Sequence, residues 1–541
     1  MTEQNQSSDN DSQEATTATG NATSTQAKQK TSKPSQQEDL IDLALKNFTL
    51  FHSPNGEAYV KVVLNNCRRV MPLRSDECRK LLGFKYHQTY MKVAHRQSLD
   101  DAIQLLIGKA VFESPEEEVF VRTAPHNGNI IVDLSNDKAQ VVEISQGGWK
   151  IIDDPPVNFI RLSSQRPMPL PLPGGTLNDF RPFINTETAE DFTMAISFLT
   201  FSLHPKGPYP VLALDSGGGS CKSTGARMMK SIVDPSLAVN FSKPKNLQNV
   251  FVNAANTWLV SYDNLSKIEP WFSDAICQLA TGGSHGAKKL YTDADEFQII
   301  VKRPIIIDGI GELIVRGDLA RRAINVRMKN IEGTPELKTE EEIWNLFFLK
   351  QPYLLGWIFN AISAGLRNLN SVHEHYSTMA DFCRFIAAAD KEIWTPGTFN
   401  KAYRSNMSKV GKQVIQADPV ASSVMALMEN NSDCKGTASD ALRSLASFIQ
   451  DKRLLFSKSW PQSANKLRGF LEKSESFLKK EGIELQFDIF ENGRRLMRIY
   501  KPSLFASETI AEPIVDHATP IEEAPPSPKE LEGTYQSIFD E

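Results

Sequence analysis

Gly217, Gly218, Gly219, Lys222, Ser223 and Thr224 put three glycines, a lysine and two hydroxyls within eight positions. That order suits a phosphate. Glycines let backbone N–H groups turn inward around phosphate oxygens, and the start of a following helix adds partial positive charge. A lysine next in line reaches the β- and γ-phosphates, and the hydroxyl after it holds Mg²⁺. The candidate loop runs Ser216, Gly217, Gly218, Gly219, Ser220, Cys221, Lys222, Ser223, Thr224. Ser216 and Cys221 stand where the strict G-x-x-x-x-G-K-[ST] pattern has glycine, and both are small. A plain Gly/Ser turn before a lysine is the alternative. The apolar strand Val211 to Leu214 before it and the helical pattern after it favour the phosphate loop.

Downstream segments supply partners. Leu259 to Asn264 is a largely apolar strand ending in Asp263, the form of a Walker B segment whose acid holds Mg²⁺ opposite Ser223. Between Cys277 and Tyr291, Gly282, Gly283 and Gly286 precede the basic pair Lys288 and Lys289. Arg303 to Gly309 is a second buried strand, ending in Asp308. Arg316, Arg321 and Arg322 then fall within seven positions.

In this order and spacing the chain resembles the superfamily 3 helicases, in the poxvirus-type primase-helicase and phage or plasmid ATPase branch. The resemblance covers residues 179–331 most strongly, 335–502 more loosely, and touches 120–156. It implies ATP and Mg²⁺ as cofactors, with Lys222, Asp263, Asp308 and Arg322 as the catalytic set. Asp308 takes the place of the polar sensor, usually Asn. Lys288 and Lys289 fall on the loop that meets DNA in the helicase pore. Arg322 matches the arginine finger that reaches a neighbouring subunit's γ-phosphate, with Arg321 beside it and Arg316 a weaker match. Asn264 follows Asp263 where a second carboxylate is usual, and Asp308 replaces an amide. An aspartate beside the γ-phosphate adds negative charge near an anion, which costs energy unless a cation compensates.

The 541 residues suit about three domains. A formal net charge of −5 gives no global signature for nucleic acid, so any DNA contact is local. Cys67, Cys78, Cys221, Cys277, Cys383 and Cys434 are scattered without a C-x-x-C pair, which argues reduced thiols rather than zinc. The first residues lack an apolar stretch of the signal-peptide kind. The most apolar tract, 343–366, is broken by Lys350, Gln351 and Pro352 and reads as buried helix rather than a membrane span. A cytoplasmic protein is expected.

Residues 1–37 are polar and expected to be disordered. A β-rich module spans 38–160, with Asn127-Gly128 as hairpin chemistry. Residues 161–176 are proline-rich and read as a semi-rigid spacer. The P-loop core spans 177–331 and a helical extension 332–430; His373 and His375 read as solvated loop. In 431–502, two helical stripes precede strands around Asn492-Gly493, the order of a winged helix. Between Cys434 and Pro502 there are 14 Lys and Arg against 8 Asp and Glu, a net of +6, with Arg494 and Arg495 at the wing as DNA contacts. An acidic tail, 503–541, is expected to be disordered and able to engage replication proteins.

The expected fold is therefore an α/β P-loop NTPase core of AAA+ or superfamily 3 helicase type, with a β-rich N-terminal module and a C-terminal winged-helix domain. The expected function is an ATP-dependent, DNA-associated motor: a replicative helicase of a phage or mobile element, hydrolysing ATP between subunits of a homo-oligomeric ring such as a hexamer. The alternative is a non-motor DNA-binding regulator or replication initiator that uses ATP binding to control assembly.

Overall fold

The computed structural model describes residues 35–216, 222–288, 296–330 and 338–502. The expected disordered tails lie outside them, except that Ser35 caps helix α1 (Gln36–Asn47) in a reciprocal box with Glu38. Strands β1 (Phe48–His52), β2 (Ala58–Leu64) and β3 (Cys67–Pro72) form an antiparallel sheet. Helices α2 (Asp76–Tyr90) and α3 (Arg96–Glu113) follow. Leu40, Val60, Leu82 and Leu106 belong to the core of this N-terminal unit. The module expected to be β-rich is thus half helical at its start.

A short pair, β4 (Val119–Phe120) with β9 (Asn158–Phe159), brackets the meander β5 (Thr123–His126), β6 (Asn129–Asp133), β7 (Val141–Ser145) and β8 (Gly148–Ile152). Asn127 and Gly128 both have positive φ, as a two-residue hairpin turn of matching twist requires.

Next come α4 (Ala189–Ser202), β10 (Val211–Asp215), α5 (Lys222–Val233), α6 (Leu247–Ala255), β11 (Val260–Leu265) and α7 (Pro270–Thr281). The hairpin β12 (Gly283–Lys288) with β13 (Glu296–Val301) precedes β14 (Ile305–Gly309), α8 (Gly317–Ala320) and β15 (Ala323–Arg327). β11, β14, β10 and β15 lie side by side in that order, all parallel. Both faces are covered, so the strands are almost continuously apolar. Alternation still divides them: Leu212, Leu214, Ile306 and Ile324 enter one core, while Val211, Ala213, Ile305 and Ile307 enter the other.

Helices α9 (Glu340–Asn368) and α10 (Ala380–Ile393) close over the first core, α11 (Thr398–Ala417) contributes to both, and α12 (Pro419–Glu429) packs on the second. The meander joins the first core through Val132, Val142 and Ile144. Trp149 donates Nε1–H to Asn360 at 2.9 Å and meets Phe359 edge-on. The meander is therefore tied to α9 rather than forming one body with the N-terminal unit.

The proline-rich stretch is a docked strap, not a free spacer. Met168 N–H donates to the Leu134 carbonyl and Leu172 N–H to the carbonyl of Pro352 inside α9, at 2.8 and 2.9 Å. A Cβ on Gly356 would lie 2.0 Å from the Leu172 oxygen, and one on Gly175 would lie 2.1 Å from the Tyr353 oxygen. Only glycine lets the strap lie that close.

The C-terminal unit comprises β16 (Asp433–Gly436), α13 (Ala438–Ser447), α14 (Ala464–Lys480), β17 (Glu484–Glu491) and β18 (Arg494–Tyr500). The strands form an antiparallel sheet in the order β16-β18-β17. Asn492 and Gly493 make the two-residue turn, with φ of 49° and 72°. Among the described residues no helix is long and apolar enough to cross a membrane.

Candidate functional site

The parallel sheet brings the C-terminal ends of β10, β14 and β11 together, and each carries an aspartate at or near that end: Asp215, Asp308 and Asp263. Lys222 is the first residue of α5. Its Nζ donates to Ser216 Oγ at 2.8 Å, closing the span of the loop. Gly217, Gly218, Gly219, Ser220 and Cys221 lie outside the described residues. Ser223, one residue into α5, donates its hydroxyl to Asp263 Oδ1 at 2.7 Å. The other carboxylate oxygen accepts from Asn240 Nδ2 at 3.2 Å.

Asp263 sits where β11 leaves register with β14, between Tyr262 and Leu265. Asn264 takes the left-handed conformation there, with φ of 57°, which asparagine tolerates better than most residues. That turn aims its backbone N–H at Asp308 Oδ1, 2.9 Å away. The residue occupying the place of the usual second carboxylate thus acts through its backbone.

Asp308 is 1% exposed, and among the described residues its Oδ2 has no hydrogen-bond partner other than the facing carboxyl of Asp263. Burial, and then the Asp263 charge, push its pKa up to about 7, against the opposing Asn264 N–H and Lys222 charge. Burial also works against ionised Asp263, but hydrogen bonds from Ser223, Asp308 and Asn240 hold its carboxyl below the usual range. Two close carboxyls cannot both ionise cheaply, so Asp263 keeps the charge and Asp308 the proton. The charge expected from Asp308 is therefore largely absent below neutral pH. The protonated acid presents one acceptor and one O–H donor, as an asparagine amide would present acceptor and N–H.

Ser223 Oγ and the Asp263 carboxylate are hard oxygen donors beside a strand end, a set that fits Mg²⁺. No cluster of three His, Cys, Asp or Glu able to hold a metal occurs among the described residues.

Arg322 stands at the far end of the sheet. Its carbonyl accepts from Val211 N–H at 2.8 Å, next to the first residue of β10. From Val211 to Asp215 the strand rises roughly 13 Å, and Ser216 and Lys222 lie beyond that. Arg322 donates to the Asp318 carbonyl at 2.9 Å and forms no carboxylate ion pair among the described residues. Arg316 pairs with Asp274 at 2.9 Å. Arg321 donates to Ser476 of α14 at 2.9 Å and lies over the Phe477 ring.

Lys288 ends β12 opposite Glu296, at the tip side of a hairpin, and Lys289 lies outside the described residues. In the C-terminal unit, Arg495 donates to Asp488 at 2.6 Å and Arg498 to Asp433 at 2.8 Å. Arg494, at the turn, forms no ion pair among the described residues. Neither Lys288 nor the wing arginines share the cluster at the ends of β10, β11 and β14.

Two features had no motif to announce them. Asn240 is one. The other is a buried ionic network at the far end of α5. Asp234 meets Arg122 at 3.0 Å and Lys230 at 3.2 Å, and accepts from Thr257 Oγ1 and the backbone N–H groups of Trp258 and Leu259. Burial opposes its charge, but Lys230 and Arg122 hold the carboxyl well below the usual range. The network links α5 to the start of β11. The only prior sign was a lysine and an aspartate four apart in a helix, which is usually a surface pair.

Residues 178–411 match the family model of the actinomycete integrative conjugative element replication protein, and residues 420–512 match that of the RepA C-terminal domain from the same elements. Among solved structures, the apo C-terminal region of NrS-1 is similar at 11% identity, over 86% of this chain and 99% of that one, with a TM-score of 0.39. The SCCmec type IV Cch active helicase is similar at 12% identity, over 84% of this chain and 92% of that one, with a TM-score of 0.44. No curated protein matches the chain.

Proposed function

We propose that this chain is an ATP-hydrolysing, DNA-associated motor of helicase type that serves replication of a mobile element from the cytoplasm. In this reading residues 177–331 are a P-loop NTPase core and 431–502 a winged helix. One observation carries it: Lys222, Ser223, Asp263 and Asp308 converge at one end of a parallel sheet while Arg322 stands at the other. An arginine so placed serves a phosphate only across an interface, so the site is completed by a second copy and the protein works as a ring. The family matches over 178–411 and 420–512 support the replication reading.

Ser223 and Asp263 would hold Mg²⁺, which when bound with ATP supplies positive charge to the phosphate oxygens. Lys222 leaves Ser216 for the phosphates. Asp263, kept ionised, orients Ser223, and Asp308, kept protonated, gives its O–H to Asp263 and adds no repelling charge. Arg322 of the neighbouring protomer meets the charge that develops on the transferred phosphoryl group. Lys288 and Lys289 would follow DNA in the pore, and Arg494 would meet the duplex backbone.

The non-motor regulator or initiator is favoured by one observation: Asn264 offers a backbone N–H where a second carboxylate would activate water. ATP turnover of the purified chain, with and without single-stranded DNA, tests the proposal. The motor reading expects turnover that DNA raises severalfold, and unwinding of a forked duplex. Nucleotide binding with assembly but no unwinding would select the regulator.

A further inference from the structure

A cavity of about 680 Å³ lies away from the sheet, between β3 of the N-terminal unit and the chain that follows β9. That volume falls within the ~300–1,000 Å³ of ordinary ligand clefts. A parallel bridge between Val70 and Ile160 lays the two segments side by side. It brings Arg68 and Arg69 from one, and Arg161 and Arg166 from the other, into a single lining.

Their charges are only partly answered. Arg68 meets Asp154 at 3.5 Å, but that carboxylate is 82% exposed on the rim, where a pair is worth little. Arg161 reaches Asp133 at 3.4 Å. Arg69 and Arg166 form no ion pair among the described residues, and Arg69 Nε is buried without a hydrogen-bond partner. A buried guanidinium nitrogen without an acceptor is costly. An anion in the cavity would answer it. Glu77 is the other acid of the lining besides Asp133, so arginine outnumbers carboxylate four to two. The floor is apolar, with Met71, Val157 and Phe159.

The wall is also held in place beforehand. Asp133 accepts from the backbone N–H and the hydroxyl of Ser135, at 2.9 and 2.6 Å, and its own carbonyl accepts from buried Arg122 at 3.0 Å. Such fixing lowers the ordering cost of binding. Guanidinium forks match phosphate oxygens bidentately, which favours phosphate over a lone carboxylate.

We propose that this arginine cleft is a second phosphate site, taking the sugar–phosphate backbone of a single DNA strand against its apolar floor. The choice of DNA as the source of phosphate rests on the functional reading above; the anion site itself does not. A free nucleotide carries the same chemistry, so the test separates the two.

The test uses the full chain and compares Arg69→Ala/Arg166→Ala with Arg69→Lys/Arg166→Lys. A labelled oligothymidylate is titrated by fluorescence anisotropy across salt concentrations. Labelled thymidine monophosphate is titrated in a Lys222→Ala background. Melting curves check folding, and the Lys pair retains charge if the Ala pair fails to fold. The expected result for the Ala pair is about a tenfold loss of oligonucleotide affinity at low salt. Its salt slope should fall by roughly 0.7 per lost contact. The Lys pair recovers most of the affinity, and ATP binding is unchanged. Loss of monophosphate binding without loss of oligonucleotide binding upholds the phosphate site and assigns it to a free nucleotide. Both ligands binding the folded Ala pair as they bind the wild type overturns the site while leaving the motor reading intact. A wild-type chain that binds monophosphate through these arginines but no oligonucleotide upholds the site and overturns the DNA reading.

Discussion

The end of the parallel sheet and the hairpin of the C-terminal unit are both crowded with charge, yet they use it differently. At the sheet, polar groups are buried or half-buried and each constrains the next: Lys222 on Ser216, Ser223 and Asn240 on Asp263, Asn264 on Asp308. At the hairpin, charges are exposed and cancel in pairs, with Arg495 and Arg468 on Asp488, Arg498 on Asp433 and Lys435 on Glu491. The net of +6 between Cys434 and Pro502 overstates the charge this unit can offer a phosphate. Exposed pairs contribute about 0–1 kcal/mol, whereas removing one partner from a desolvated charge pair costs about 2–5 kcal/mol. Burial, more than charge count, separates the cluster at the sheet from the face of the hairpin.

That contrast predicts a graded set of effects. The largest belongs to Lys222. Lys222→Ala is expected to cost about 2–5 kcal/mol of ATP affinity, at least about 30-fold, with the melting profile unchanged. Calorimetric titration checks this, and retained affinity would place Lys222 among the paired surface charges instead.

Asp308 comes next. Its acid pKa is raised, so the folded state holds a proton that the unfolded chain releases. Between about pH 4 and pH 7 the folded state binds more protons, so stability falls as pH rises through that window. Asp308→Asn removes the slope. The variant should melt like the wild type near pH 4 and be more stable by about 1–2 kcal/mol at pH 8, a value discounted for screening. Parallel melting curves across the pH range would show it.

The smallest effects belong to the wing. Arg494→Ala should lower duplex affinity about threefold and the salt slope by about 1. Arg495→Ala should change affinity by less than twofold, because Asp488 already takes its charge. Anisotropy titrations at two salt concentrations distinguish them, and equal losses would end the pairing account of the hairpin.

What could be read from the chain beforehand was local. The β10 strand, the helix that starts at Lys222, the apolar runs that carry Asp263 and Asp308, and the two Asn-Gly turns each carry their signal within a few residues. What could not be read depended on partners far away in sequence. The proton on Asp308 needs Asp263 facing it across strands 45 positions apart. The backbone role of Asn264 needs a register shift between β11 and β14. The proline-rich strap looked like a spacer because its composition is that of one; Gly175 and Gly356 become informative only once α9 lies against it. Arg122 and Asp234 are 112 positions apart, and nothing in either neighbourhood marks them as a buried pair.

The Arg321 contact to α14 adds a mechanical aspect to the same comparison. The loop that carries Arg322 is braced by Ser476 and Phe477 of the C-terminal unit. Movement of the paired, exposed unit would therefore reach the loop that carries Arg322.

The central claim is that hydrolysis is shared between copies, and subunit mixing tests it most directly. Arg322→Ala protein should bind ATP normally yet turn it over about 10³–10⁵-fold more slowly, and Lys222→Ala protein should be equally inactive. Mixed in varying ratios, with mixed assemblies confirmed, the two should regain activity that peaks at intermediate composition, because some interfaces then join an intact lysine to an intact arginine. Activity that stays flat at every ratio would contradict a shared site.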